Sequence, residues 1–141
     1  MKRNSNLHNI FIDTNVFIGA WTNREKDKKC LQYLFSLIGR RLYTSSLCVA
    51  QLISVFQKSK TNAEIKNIVS EIIKHTTVLS CDLGDIVASL GDDKADIEDC
   101  IQYNISQKMR CAIFVTNNIK DYRIFPNIQV YKPEKIGAIA R

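Results

Sequence analysis

Three short stretches of this 141-residue chain set polar side chains where the sequence around them is apolar. Asp13 closes the run Ile10-Phe11-Ile12 and is followed by Thr14 and Asn15. Thr116, Asn117 and Asn118 close a second run that begins at Cys111. Asp96 and Asp99 stand just before that second run, and their three-residue offset puts both carboxylates on one face of a helical first turn. Carboxylates gathered in one crevice repel and partly neutralise unless a cation intervenes. Oxygen donors of this kind suit a hard divalent ion, Mg²⁺ or Mn²⁺. Each group also has an ordinary use: Asp13 and Asp96 as helix N-caps, Asp99 as the third residue of a capping box, and the two asparagines as turn formers. Only their joint placement at one edge of a sheet separates the two readings.

The elements that must position these residues are written in the apolar pattern. Short runs rich in β-branched, aromatic and aliphatic residues predict strands at Ile10–Asp13, Leu42–Thr44, Thr77–Ser80, Cys111–Thr116 and Ile128–Tyr131. The first and fourth are almost continuously apolar, as central parallel strands covered on both faces are. Between them lie segments of helical period. Cys30, Leu31, Leu34, Phe35 and Ile38 form one stripe, and Ile65, Ile68, Val69, Ile72 and Ile73 another. Further helices are predicted near Val16, over 46–58, 83–90 and 96–107, and from Pro133, a favoured first-turn residue. Strands alternating with helices predict one α/β domain over residues 1–141, with a central, mainly parallel five-stranded sheet. In such sheets ligands bind at the carboxyl ends of the strands, where the strand order reverses.

Charge is unevenly spread. The net +6 resolves into +7 over residues 1–60, zero over 61–80, −6 over 81–100 and +5 over 101–141. A basic chain with one concentrated acidic segment fits a polyanion binder that contains a metal site; a solvated, well-capped helix start would give the same segment. Five separated cysteines without a C-x-x-C pair predict reduced, mostly buried thiols and a cytoplasmic location. No apolar run approaches the roughly 18 residues of a membrane span.

Three blocks, IFIDTNVFIGA, YTSSLCVAQLI and KADIEDCIQYNISQKMRCAIFVTNNIKDY, resemble the successive signatures of PIN-domain proteins, in order and in separation. The last block is the most specific and resembles the small bacterial, VapC-like branch whose ending is N-x-K-D-[FY]. The resemblance implies a three-layer α/β/α fold and a metal-dependent endoribonuclease that uses Mg²⁺ or Mn²⁺. It also implies an RNA substrate, an antitoxin protein as partner for members that are toxins, and homodimers. By match to the motif, Asp13 is the first metal-binding carboxylate. Asp99 is the main acid of the later helix, with Asp96 beside it, and Thr116 positions water or substrate. The remaining acid falls at Asn118 or Asp121, so the implied metal set is Asp13, Asp96, Asp99 and Asp121. Lys94, Lys120 and Arg123 flank these positions as candidate clamps on a nucleic-acid backbone.

Two residues depart from the pattern: Gln51 stands where a glutamate is usual, and Asn118 where many members carry aspartate. Gln51 brings no charge, although its amide oxygen can support a ligand or water. Together with Ser54 and Lys58 it also forms a polar helix face. These departures keep open a second reading, a catalytically weakened module that binds RNA or a protein. A phosphatase of the haloacid-dehalogenase type would need a second aspartate at position 15, where this chain has asparagine.

Overall fold

The computed structural model describes residues 9–37 and 41–140. Five strands, β1 (Asn9–Ile12), β2 (Arg41–Ser45), β3 (Thr77–Leu79), β4 (Ile113–Val115) and β5 (Gln129–Tyr131), form one sheet in the order β3-β2-β1-β4-β5. Every pairing is parallel. The helices among the described residues are α1 (Thr14–Ala20), α2 (Glu25–Ser36), α3 (Ser46–Phe56), α4 (Asn62–His75), α5 (Leu83–Ser89), α6 (Ile97–Gln107) and α7 (Ile119–Tyr122). A 3₁₀ segment, Pro133–Ala140, follows β5. An ordinary helix was expected from Pro133; Gly137 in the middle of the segment lowers the α propensity there.

Alternation along the central strands feeds two cores. Ile10, Ile12, Ile113 and Val115 join Leu31, Leu34, Leu52, Phe56, Ile68 and Ile72 on one face of the sheet. Phe11 and Phe114 point the other way, stacked with ring centroids 4.9 Å apart, among Cys100, Ile101, Ile105 and Tyr122. Helices on both faces of a parallel sheet make three layers, and that is why Ile10–Ile12 of β1 and Ile113–Val115 of β4 are apolar at consecutive positions. The two predicted helical stripes are realised in α2 and α4. Cys30, Leu31 and Leu34 are buried, while Ile38 lies outside the described residues. In α4 Ile65, Ile68 and Ile72 face the core, but Ile73 is 58% exposed. The start of α4 is fixed by a capping box, Thr61 with Glu64. The four cysteines Cys30, Cys48, Cys100 and Cys111 are buried and all five are unpaired. Among the described residues no helix is long and apolar enough to cross a membrane.

One feature of this topology positions the site. The chain leaves β1 toward β2 on one side and returns to its other side as β4, so the order reverses between β1 and β4. Ile12 pairs with Val115, so the next residues, Asp13 and Thr116, emerge side by side at the carboxyl edge.

Candidate active site

Asp13 caps a helix and also lines a cleft at the carboxyl edge of the sheet. It is the N-cap of α1, with Oδ1 accepting from the Thr14 amide at 2.8 Å. Its Oδ2 accepts from the Thr116 hydroxyl at 2.8 Å and from Asn15 Nδ2 at 3.1 Å. The Thr116 hydroxyl in turn accepts from the Asn118 amide at 3.0 Å and from Asn15 Nδ2 at 3.2 Å. Thr116 is fully buried, with its hydroxyl proton directed at the Asp13 carboxylate. Despite three donors, burial pushes the Asp13 carboxyl above its ordinary value, and the charge of Asp121 adds to the rise.

Asn15 is itself held by residues of other elements. Asn15 Oδ1 accepts from the Asn117 amide at 3.0 Å, and Asn117 Nδ2 donates to Asp27 Oδ1 at 3.0 Å. Asp27 projects from the first turn of α2 and is 1% exposed, with Oδ2 lacking a hydrogen-bond partner. The Arg24 Nε approaches that oxygen at 3.5 Å. A chain of side chains thus runs from α2 through the turn after β4 to the carboxylate after β1.

The opposite wall comes from α6 and α3. Asp96 is the N-cap of α6; its Oδ1 accepts from the amides of Glu98 at 2.9 Å and Asp99 at 3.2 Å, and the residue is exposed. Asp99, one turn on, lines a cleft of about 280 Å³ together with Asp13, Asn15, Gln51, Glu98, Gln102, Asn118 and Tyr122. The structure therefore brings Asp13, Asp99 and Asn118 together, while Asp96 and Asp121 lie outside that lining. Both still act through space. Burial raises the Asp99 carboxyl to about 6; the buried Tyr122 phenol opposes the rise, and Asp96, Asp121 and Asp13 add to it. Asp121 lines an adjoining hollow with Lys120, Arg123 and Lys132, which shares Asn118 with the cleft. Lys94 is exposed in the turn before α6 and lines neither hollow.

Gln51 is not a free surface residue. Its Oε1 accepts from the Thr14 hydroxyl at 2.7 Å, and its Nε2 donates to Glu98 Oε2 at 2.6 Å. Glu98, Asn15, Asp27, Gln102, Tyr122 and Lys132 are site or supporting residues that sequence reasoning missed. Asn15 carried a signal, a short polar side chain two residues after the buried carboxylate. The contact of Glu98 with α3 and that of Asp27 with the turn after β4 carried none.

The donor chemistry fits a hard divalent cation. Two buried or half-buried carboxylates face one cleft, and no lysine or arginine lines it. Among the described residues no three His, Cys, Asp or Glu side chains are close enough to hold an ion by themselves. That suits Mg²⁺ or Mn²⁺, which keep several waters and bind through one or two carboxylates plus substrate phosphate.

The raised Asp99 carboxyl makes a prediction for the metal-free chain. A carboxyl held above its ordinary 3.8 binds its proton more tightly folded than unfolded. The contribution of Asp99 to stability is therefore most favourable below about pH 4, falls between about 4 and 6, and stays reduced above that. The unscreened figure is about 3 kcal/mol; for this half-exposed group solvent screening leaves about 1 kcal/mol. In EDTA, Asp99→Asn is expected to melt about 3–4 °C above wild type at pH 7.5 and level with it at pH 4. Equal melting at both pH values would refute the assignment of strain to this carboxylate.

Comparison with known proteins bears on the same region. A family profile described as a PIN domain matches residues 9–120. The chain is 26% identical over 138 residues to Ribonuclease VapC1 of Aquifex aeolicus (strain VF5), which covers 92% of this chain and 94% of that protein. Among solved structures, a toxin–antitoxin complex from Klebsiella pneumoniae superposes with a TM-score of 0.66 at 19% identity, over 88% of this chain and 97% of that one. DNA-bound VapBC from Salmonella typhimurium gives 0.63 at 22% identity, over 89% and 98%. These two likenesses establish the fold. The profile match runs from β1 into α7, across the elements that build the cleft, and the chain therefore belongs to the PIN domain family.

Proposed function

We propose that this protein is a divalent-metal-dependent endoribonuclease that hydrolyses RNA phosphodiester bonds, and that it is the toxin of a toxin–antitoxin pair. The observation that carries the reading is the cleft at the β1–β4 switch point, where Asp13 and Asp99 meet with no cationic side chain to balance them. Asp13 and Asp99 would hold the ion. When bound, it supplies positive charge to the scissile phosphate and acidifies the attacking water. The protein's own part is to keep the donors in place. Thr116, Asn15 and the Thr14 amide fix Asp13, while Asp96 and Asp121 strengthen the negative potential that attracts a cation. Related nucleases attack in line and leave 5′-phosphate and 3′-hydroxyl ends, and the same products are expected here. Cleavage of a structured RNA with Mn²⁺ or Mg²⁺ but not with EDTA tests the reading, and cleavage that persists in EDTA would sink it.

The hollow beside the cleft gives the RNA a place to lie. Lys120, Arg123 and Lys132 surround Asn118, the residue that it shares with the acidic cleft. A strand crossing from one to the other would set backbone phosphates on the lysines and a scissile bond over the carboxylates. Lys120→Ala and Lys132→Ala are each expected to weaken RNA binding for all sequences alike and to lower the salt slope by about 0.7. Unchanged slopes in both variants would remove these lysines from the binding surface.

The toxin reading draws on the structural likeness to the toxin–antitoxin complex from Klebsiella pneumoniae. An open apolar groove between α3 and α4, lined by Ile53, Ile65 and Val69, offers a face for a protein partner. Growth arrest on expression, relieved by the product of a neighbouring small open reading frame, is the expected result. Gln51 supports a second reading, an RNA-binding module without turnover. Salt-sensitive RNA binding with no Mn²⁺ binding would favour that module.

A further inference from the structure

We propose that Glu98 supplies from α6 the negative charge that Gln51 does not supply from α3, acting through space on a cation held by Asp13 and Asp99, and that Gln51 is the residue that holds it there. The inference rests on the divalent-metal reading above and extends it to Glu98, the glutamate of the D-x-E-D stretch, to which the resemblance assigns no role. Gln51 and Glu98 line the same cleft as Asp13 and Asp99. Gln51 Nε2 donates to Glu98 Oε2 at 2.6 Å, a hydrogen bond from a neutral amide to a carboxylate.

The orientation of the Gln51 amide is fixed from the protein side. Its Oε1 accepts from the Thr14 hydroxyl at 2.7 Å and from Gln102 Nε2 at 3.5 Å. Gln102 is buried and has its own carbonyl occupied, accepting from the Ser45 hydroxyl at 2.7 Å. Turning the Gln51 amide over would set two NH₂ groups against each other and present a carbonyl to a carboxylate. The network thus leaves the Gln51 NH₂ directed at α6, where an acid suits it. A glutamate at position 51 would instead confront Glu98 as a like charge at hydrogen-bonding distance. The glutamine and the relocated acid form a matched pair, and the cleft keeps the charge that the departure at position 51 would otherwise remove.

Glu98 also lies in the first turn of α6, where the helix dipole favours an acid whatever its function. That ordinary use predicts a small change in stability and none in cation affinity, and calorimetry separates the two. Mn²⁺ titrated into the RNA-free chain is expected to bind Glu98→Gln at least tenfold more weakly than wild type. The swapped double variant Gln51→Glu/Glu98→Gln is expected to bind within about threefold of wild type. A conservative Glu98→Asp, which keeps the charge but shortens its reach to Gln51, should fall between. The proposal is overturned if Glu98→Gln binds Mn²⁺ as wild type does, or if the swap is as weak as the single variant. A wild-type chain that binds no Mn²⁺ overturns the metal reading itself, and this proposal with it.

Discussion

Replacing Asp13 with asparagine is expected to reduce RNA cleavage on the order of 10²–10³-fold while the chain stays folded. Asparagine has the shape of aspartate and can still accept from the Thr14 amide, so the N-cap survives. One of its two positions then carries NH₂ instead of oxygen and meets a donor, Thr116 and Asn15 on one side or the Thr14 amide on the other. That loss is offset by removing a charge that burial disfavours. Asp13→Ala is different. It strands all three donors and removes the cap, and is expected to destabilise the fold by about 2–4 kcal/mol. Initial cleavage rates with Mn²⁺, measured beside thermal melts of both variants, check the pair of expectations. An Asp13→Asn chain that keeps more than a tenth of the wild-type rate would rule Asp13 out as the central carboxylate.

Among the described glycines, Gly19→Ala should be the most damaging substitution. A Cβ at Gly19 would lie 1.7 Å from Asp27 Oδ2 and 2.6 Å from Asp27 Cγ, far inside van der Waals contact. Asp27 is buried, bonded to Asn117, and fixed in the first turn of α2, so it cannot swing aside without breaking the chain of contacts to Asn15. Overpacking of this severity, with a buried carboxylate displaced, is expected to cost about 3 kcal/mol, or about 10 °C in melting temperature. Cleavage should fall further than the folded fraction does, because Asn117 and Asn15 lose their anchor. The double variant Gly19→Ala/Asp27→Ala removes the clash, so its destabilisation should be clearly less than the sum of the two singles. Additive losses would mean that the methyl group meets something other than Asp27.

Much of this geometry was legible before the fold was known, and the reason is local. Ile10–Ile12 and Ile113–Val115 are apolar at consecutive positions because both faces of a central parallel strand are covered. A polar residue directly after such a run marks the strand's carboxyl edge, which is why Asp13 and Thr116 stood out. Asp96 and Asp99 could be paired by spacing but not told apart. An N-cap side chain turns back onto its own helix amides, and this occupies Asp96; one turn later Asp99 is free to line the cleft. Spacing fixes the helix face, whereas the direction of a side chain at a helix end depends on backbone angles outside the helix.

The sequence by itself determined the α/β alternation, the capped helix starts and the two polar strand ends, since each depends on residues within a few positions of one another. The tertiary structure alone decided which distant residues complete the site. Gln51 meets Glu98 across 47 positions and Asn117 meets Asp27 across 90, and both contacts exist only because the strand order reverses between β1 and β4. A glutamine that reads as a missing acid in one dimension is, in three, a hydrogen-bond donor facing an acid. Its meaning is set by what the crossover brings opposite it.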